Sequence, residues 1–121
     1  MKKSLLLILL TCSLCACGHT STVPTANDTP LVLAGKSLLA VKSTIVTSAT
    51  AIDGLCKANK IETSKCQQAA TAYELSKPAY DSAVDAYLMM GQGYATPAEF
   101  DSALARLRAI ADNMLTITGG K

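Results

Sequence analysis

Side chains able to do acid–base, metal or thiol chemistry are few in this chain and lie far apart. Its 121 residues include five cysteines and one histidine, His19. Asp81 and Asp85 are one helical turn apart, the spacing nearest to a carboxylate pair for general acid–base catalysis. Such pairs are far more often solvated surface residues, and the sequence has no glycine-rich phosphate loop. We therefore expect no catalytic residues, no metal site, no cofactor and no enzymatic activity.

The first part of the chain has the layout of an export signal. Met1–Lys3 is a short basic start, the apolar run Leu5–Leu10 follows, and small residues lead to Ala16. The run is shorter than the roughly 20 apolar residues of a transmembrane helix. A basic start, a short apolar run and a small-residue end are typical of a secretory signal. Residues 1–16 are therefore predicted to be removed during export.

The tetrapeptide Leu14–Cys15–Ala16–Cys17 ends this segment. It resembles the lipobox of bacterial lipoproteins, in which a Leu, a small residue and Ala or Gly precede a Cys. The resemblance implies that a diacylglycerol is attached to the Cys17 thiol, that a dedicated signal peptidase cuts before Cys17, and that the new amine is acylated. Several acyl chains hold a protein firmly at a membrane, whereas one chain binds reversibly. An ordinary secretory signal without lipidation is the alternative.

Gly18 bears on which membrane receives the protein. By resemblance to the sorting rule of enterobacterial lipoproteins, an Asp directly after the lipidated Cys would retain the protein at the inner membrane. Gly18 stands there instead. The outer membrane is therefore the expected location, reached through the lipid anchor.

Cys56 and Cys66 remain once Cys12 and Cys15 leave with the signal and Cys17 is lipidated. An even pair of cysteines in an oxidising compartment is expected to form a disulfide. A metal site would need further Cys or His ligands, and a redox motif would have only two residues between the thiols. A structural disulfide is therefore predicted, with metal or redox work as the weaker alternatives.

The charge of the mature chain argues against nucleic acid as a partner. The full chain has 11 basic and nine acidic side chains, and Lys2 and Lys3 leave with the signal. The mature side chains are therefore neutral overall. Nucleic-acid binding needs a basic surface that displaces counterions.

The mature chain divides into a tether and one helical domain. Residues 17–29 are polar, rich in Thr and without periodicity, so they are predicted to be a flexible linker that contains His19. Residues 30–118 show three segments with apolar residues at helical spacing and no strand pattern. Short connections make sequential helices antiparallel neighbours. We therefore predict an all-α fold, a small antiparallel three-helix bundle made of a disulfide-linked helical hairpin plus a third helix.

Local signals place the ends of the first and third helices. Thr29–Pro30 provides a capping hydroxyl followed by Pro at the first helical position. Asn59 is a residue type that accepts the left-handed conformation at a helix end. Thr96–Glu99 reads Thr-Pro-Ala-Glu, a capping box with Pro at the first helical position.

The second helix has weaker signals. Ser64 with Gln67 fits a capping box, which predicts a start near Thr63 or Ser64. Pro78 lies inside the segment, which predicts a kink or short break near Ser76–Lys77. The predicted inner face consists of Ala69, Ala70, Tyr73, Tyr80, Ala83, Val84, Tyr87 and Leu88.

Two groups of residues form the candidate interaction surface. Tyr73, Tyr80 and Tyr87 recur every seven residues on the second helix. They predict either an aromatic stripe for a partner or, more commonly, rings at the edge of a small core. Lys57, Lys60 and Lys65 crowd the turn of the hairpin. They could meet an anionic surface such as lipopolysaccharide or peptidoglycan, although such lysines are more often simply solvated.

The functional expectation follows from the anchor. We expect a non-enzymatic envelope lipoprotein that acts through contacts with another envelope protein. The layout of residues 17–118 also resembles small helical lipoproteins of phage and prophage genomes, which implies a viral origin. A phage-encoded role in receptor blocking or host lysis is one option within this functional class. The alternative is a structural spacer between outer membrane and cell wall. Its support is the terminal Lys121, because the major murein lipoprotein is joined to the wall through a C-terminal Lys.

Overall fold

The computed structural model describes residues 27–119, which form three α-helices. Helix α1 spans Pro30–Lys57, α2 spans Thr63–Gly91 and α3 spans Pro97–Ile117, and no strand occurs within the described range. The fold class predicted from the sequence is confirmed. The predicted signal, Cys17, Gly18 and the linker up to residue 26 lie outside the described residues, as does Lys121.

The predicted ends of α1 are confirmed. The Thr29 hydroxyl accepts a hydrogen bond from the Val32 N–H at 3.3 Å, and Pro30 occupies the first turn. Asn59 has a φ of 53°, in the left-handed region that lets the chain turn away after the helix. The Asn59 N–H donates to the Cys56 carbonyl, which satisfies one acceptor of the last turn.

The start of α3 is also as predicted. The Glu99 N–H donates to the Thr96 hydroxyl at 3.3 Å, and the Thr96 N–H donates to the Glu99 carboxylate at 2.6 Å. The bonds from the Thr96 backbone and side chain stabilise the ionised carboxylate and lower the pKa of Glu99. This reciprocal pair fixes the direction in which α3 leaves the loop.

Helix α2 differs from the sequence prediction at two points. Its N-cap is Glu62, which makes no side-chain capping bond, and Ser64 donates to the Glu62 carboxylate instead, so the capping box of Ser64 with Gln67 is wrong. The helix also continues through Pro78, so the predicted break is wrong. Ser76 and Ala83 on either side of Pro78 are buried, and this packing maintains the helix although Pro78 has no N–H to donate.

The core is a single cluster formed by all three helices. Its large members come from α1 and α3, whereas α2 contributes mainly Ala and Ser. The buried residues are Leu38, Ile45, Ser48, Ile52, Ala69, Ala72, Ser76, Ala83, Phe100, Leu104, Leu107, Ala111, Met114 and Ile117. Small side chains on α2 let its backbone approach both neighbours closely.

The predicted inner face of α2 is therefore partly wrong. Ala69 and Ala83 are buried as predicted, but Ala70, Tyr73 and Leu88 are exposed, and Ala72 and Ser76 take their places in the core. Because α2 contacts two helices at once, its buried strip is set by the direction midway between them. The periodicity of the sequence identifies the apolar side chains of α2 but does not show which side of the helix is buried.

Among residues 27–119, α1 is the helix that is long and apolar enough to cross a membrane by length and composition. In the bundle one side of α1 packs against the other helices through Leu38, Ile45 and Ile52. Lys42 and Asp53 lie exposed on the same helix. The fold uses α1 as a bundle helix.

Candidate functional site

The hairpin turn between α1 and α2 is closed by the predicted disulfide. Cys56 in the last turn of α1 and Cys66 in the first turns of α2 are bonded, with their Cα atoms 6.0 Å apart. That separation is within the usual range for a disulfide. The bridge therefore fixes α1 and α2 to one another at the end of the bundle remote from Pro30.

An open groove runs between α1 and α2 from this disulfide. Its larger part has a volume of about 500 Å³, and a smaller part of about 110 Å³ continues along the same two helices. The larger part is lined by Ala49, Thr50, Ile52, Asp53, Cys56, Cys66, Ala69, Ala70 and Tyr73. We call both parts together the α1–α2 groove. Small side chains on both helices leave the space that larger ones would fill.

Two of the three predicted tyrosines line this groove. Tyr73 borders both parts, and Tyr80 borders the smaller one. Each ring has a lysine over its face, with Lys42 Nζ 4.6 Å from the centroid of Tyr80 and Lys77 Nζ 5.5 Å from that of Tyr73. These are cation–π distances.

Lys77 has a second partner besides the ring of Tyr73. Its ammonium donates to the Glu74 carboxylate at 2.8 Å, and this bond raises the pKa of Lys77. Lys77 is therefore held at the edge of the groove between a ring and a carboxylate. The groove lining combines apolar side chains with Lys42, Lys77 and Asp53.

The third tyrosine has a different environment. The ring of Tyr87 lies 6.1 Å from that of Phe100, centroid to centroid, and is tilted to it by 58°. Its hydroxyl lies 3.0 Å from where a Cβ on Gly35 would be, so the absence of a side chain at Gly35 makes room for it. Tyr87 thus packs at the edge of the core, and the structure does not bring it into the groove with Tyr73 and Tyr80.

The three predicted lysines lie exposed around the disulfide-closed turn. Lys57 pairs with Asp53 at 2.6 Å, an i,i+4 pair on the surface of α1. Within residues 27–119, Lys60 and Lys65 have no carboxylate at salt-bridge distance. The turn therefore presents cationic side chains beside the larger part of the groove.

No protein-family model, no curated protein and no solved structure matches this chain.

Groups with catalytic potential are sparse in the described range. Residues 27–119 hold no group of three or more His, Cys, Asp or Glu side chains that could bind a metal ion. Asp81 and Asp85 are exposed on α2. The main feature of the described residues is instead the partly apolar α1–α2 groove.

Neither Lys42 nor Lys77 is among the site residues predicted from the sequence. Lys77 follows Tyr73 by four residues, a spacing that places two side chains on the same side of a helix, so this pair had a signal. Lys42 reaches Tyr80 from the neighbouring helix. That contact depends on the register between α1 and α2, for which the sequence has no local signal.

Proposed function

We propose that this protein is a bacterial envelope lipoprotein, anchored to the outer membrane through Cys17, that binds another envelope protein and catalyses no reaction. The observation that carries the proposal is the lipobox-like Leu14–Cys17 at the end of an export-type segment. The bundle supports it in one respect: its first helix begins only 13 residues after Cys17. A folded domain on a short linker behind an anchor is suited to contacts with other proteins of the envelope.

The α1–α2 groove is the proposed binding surface. Its floor consists of Ala and Ile side chains, which can accept the apolar side of a partner helix. Around its larger part, Lys57, Lys60 and Lys65 outnumber the carboxylates of Asp53 and Glu62, and only Lys57 is paired with one of them. Charge complementarity therefore favours an amphipathic helical segment that carries acidic residues.

This surface can be tested with a photo-crosslinking residue in place of Ala70. Ala70 is exposed and lines the groove. We expect an adduct with one envelope protein in living cells, and loss of the adduct when Lys57, Lys60 and Lys65 are all changed to Glu, because the acidic partner would then be repelled. Immunoblotting of the cross-linked envelope measures both results.

Ala105 provides the matched control, since it is an exposed alanine on α3 and does not line the groove. The same crosslinker at Ala105 should give no adduct. Equal adducts at both positions, no adduct at Ala70, or an adduct that survives charge reversal would each reject the groove as the binding surface.

The location can be tested by changing Gly18 to Asp. If the host follows the enterobacterial sorting rule, this change should move the protein from the outer to the inner membrane while leaving its lipid intact. Sucrose-gradient fractionation after palmitate labelling measures both properties. A wild-type protein that already fractionates with the inner membrane would contradict the proposed location.

A structural spacer between outer membrane and cell wall is the second candidate function. It rests on Lys121, which would have to be joined to peptidoglycan. Digestion of purified cell walls with muramidase would release the protein if that link existed. A phage-encoded origin, with a role in receptor blocking or host lysis, is compatible with the main proposal and is tested by the genes that flank this one.

A further inference from the structure

The end of the bundle where α1 begins exposes large apolar side chains. We define the apolar end as Leu31, Val32, Leu88, Met89 and Tyr94. A Leu31 methyl lies 3.5 Å from where a Cβ on Gly91 would be, and the Tyr94 N–H donates to the Met89 carbonyl at 2.8 Å. The start of α1, the last turn of α2 and the following loop therefore lie together at this end of the bundle.

Three of these side chains are about half exposed or more. Leu88 is 52% exposed, Met89 48% and Tyr94 76%. The opposite end of the bundle differs, because its exposed turn consists of Lys, Asn, Glu, Thr and Ser, and its one large apolar residue, Ile61, packs against the core. Of the ten exposed large apolar side chains within residues 27–119, five lie at the apolar end, and the other five, Leu39, Val46, Tyr73, Leu75 and Leu115, are spread over the three helices. Such a concentration of exposed apolar side chains at one end is typical of a contact surface.

The chain itself indicates what covers the apolar end. Asn27 is ten residues after Cys17, and ten residues of chain span at most about 36 Å. If Cys17 carries acyl chains, Asn27, three residues before α1, is always within that distance of the lipid surface. The tether thus keeps the apolar end at a high effective concentration beside the membrane.

The charges around the apolar end indicate which lipid surface fits. Residues 84–101, which include the last turns of α2, the loop and the first turn of α3, contain three acidic side chains and no lysine or arginine. Lys36, the first basic residue of α1, is paired with Asp28 at 2.7 Å. A surface of this kind would be repelled by anionic headgroups and accepts zwitterionic ones.

We propose that the apolar end docks into the interfacial region of the zwitterionic lipid surface that holds the Cys17 anchor. The inference rests on the proposed lipidation. Tyr94 contributes a ring with a polar hydroxyl, a combination favoured at membrane interfaces, and Leu88 and Met89 contribute apolar side chains. Docking orients the bundle so that the disulfide-closed turn points away from the membrane, since α1 is about 42 Å long.

The chain has no tryptophan, so a single introduced one reports on its own surroundings. Lipidated protein with Tyr94→Trp is purified from membranes and reconstituted into phosphatidylcholine vesicles with or without brominated acyl chains. We expect a blue-shifted emission that is largely lost to the brominated lipid. The same protein with Ser64→Trp, an exposed position at the opposite end, should show neither effect.

Two further comparisons make the test specific. Adding Leu88→Glu and Met89→Glu to Tyr94→Trp should remove the quenching while the protein still floats with the vesicles. Replacing part of the phosphatidylcholine by anionic phosphatidylglycerol should weaken the quenching.

The outcomes separate this inference from the proposed function. Protein that floats with vesicles but shows no quenching of Tyr94→Trp overturns the docking and leaves the anchor intact. Blue-shifted emission without lipid quenching overturns it too, because a protein or a second copy then covers the apolar end. Wild-type protein that does not float overturns the proposed lipidation itself.

Discussion

Changing Cys17 to Ser is expected to abolish lipid attachment completely and to leave residues 1–16 on the protein. The diacylglycerol of a lipoprotein is held by the cysteine sulfur, and a Ser hydroxyl cannot take its place in that linkage. Because lipidation is expected to precede cleavage, the variant should accumulate as unprocessed precursor. Labelling with radioactive palmitate and electrophoretic mobility measure the two effects.

Cys15 provides the matched control for this variant. Cys15→Ser alters a neighbouring thiol but keeps a small residue at the second position of Leu14–Cys17. Labelling and processing should therefore remain at the wild-type level. Label on the Cys17→Ser variant, or a wild-type protein without label and soluble in the periplasm, would refute the lipoprotein proposal.

The parts of the fold that could be predicted are those set by local chemistry. The starts of α1 and α3 are predictable from Thr29 and Thr96, each of which is a hydroxyl residue directly before a Pro. A capping side chain bonds to backbone groups within one turn, so the signal is local. The disulfide was predictable as well. Once the other cysteines are assigned to the signal and the anchor, Cys56 and Cys66 have only each other to bond with. None of these inferences depends on how the helices pack.

The parts that could not be predicted depend on how the helices pack. Which side of α2 is buried is set by two neighbours at once, so Ala72 and Ser76 are in the core and Ala70 is not. The same geometry decides the site, because Tyr73 and Tyr80 line the groove while Tyr87 meets Phe100. Three tyrosines with one spacing thus have two environments.

The two ends of the bundle differ in chemistry, which indicates that they have different functions. The apolar end lies where the chain enters the bundle from Cys17, whereas the lysines and the larger part of the groove lie at the disulfide-closed turn. If the first holds the protein against lipid, the second is presented to a partner away from the membrane. The groove would lose its fixed shape if its two helices could move apart at the turn.

Removal of the disulfide is therefore the second large effect that we expect. With Cys56 and Cys66 both changed to Ser, the far-ultraviolet helix signal should persist, because the core cluster does not depend on the sulfur–sulfur bond. The bond closes a loop of about 11 residues, and its loss gives conformational freedom back to the unfolded chain. A loss of about 2 kcal/mol would lower the Tm of a domain this size by roughly 8–16 °C. Circular dichroism measures both quantities.

Reduction supplies the control for the double variant. Dithiothreitol should lower the Tm of the wild-type protein by the same amount and leave that of the variant unchanged, because it acts only where a disulfide exists. Crosslinking from Ala70 should also weaken in the variant, since Cys56 and Cys66 line the larger part of the groove. Two free thiols in the protein isolated from the envelope, or equal Tm values with and without reductant, would contradict the structural role. Cys56 and Cys66 would then become candidates for metal or redox chemistry.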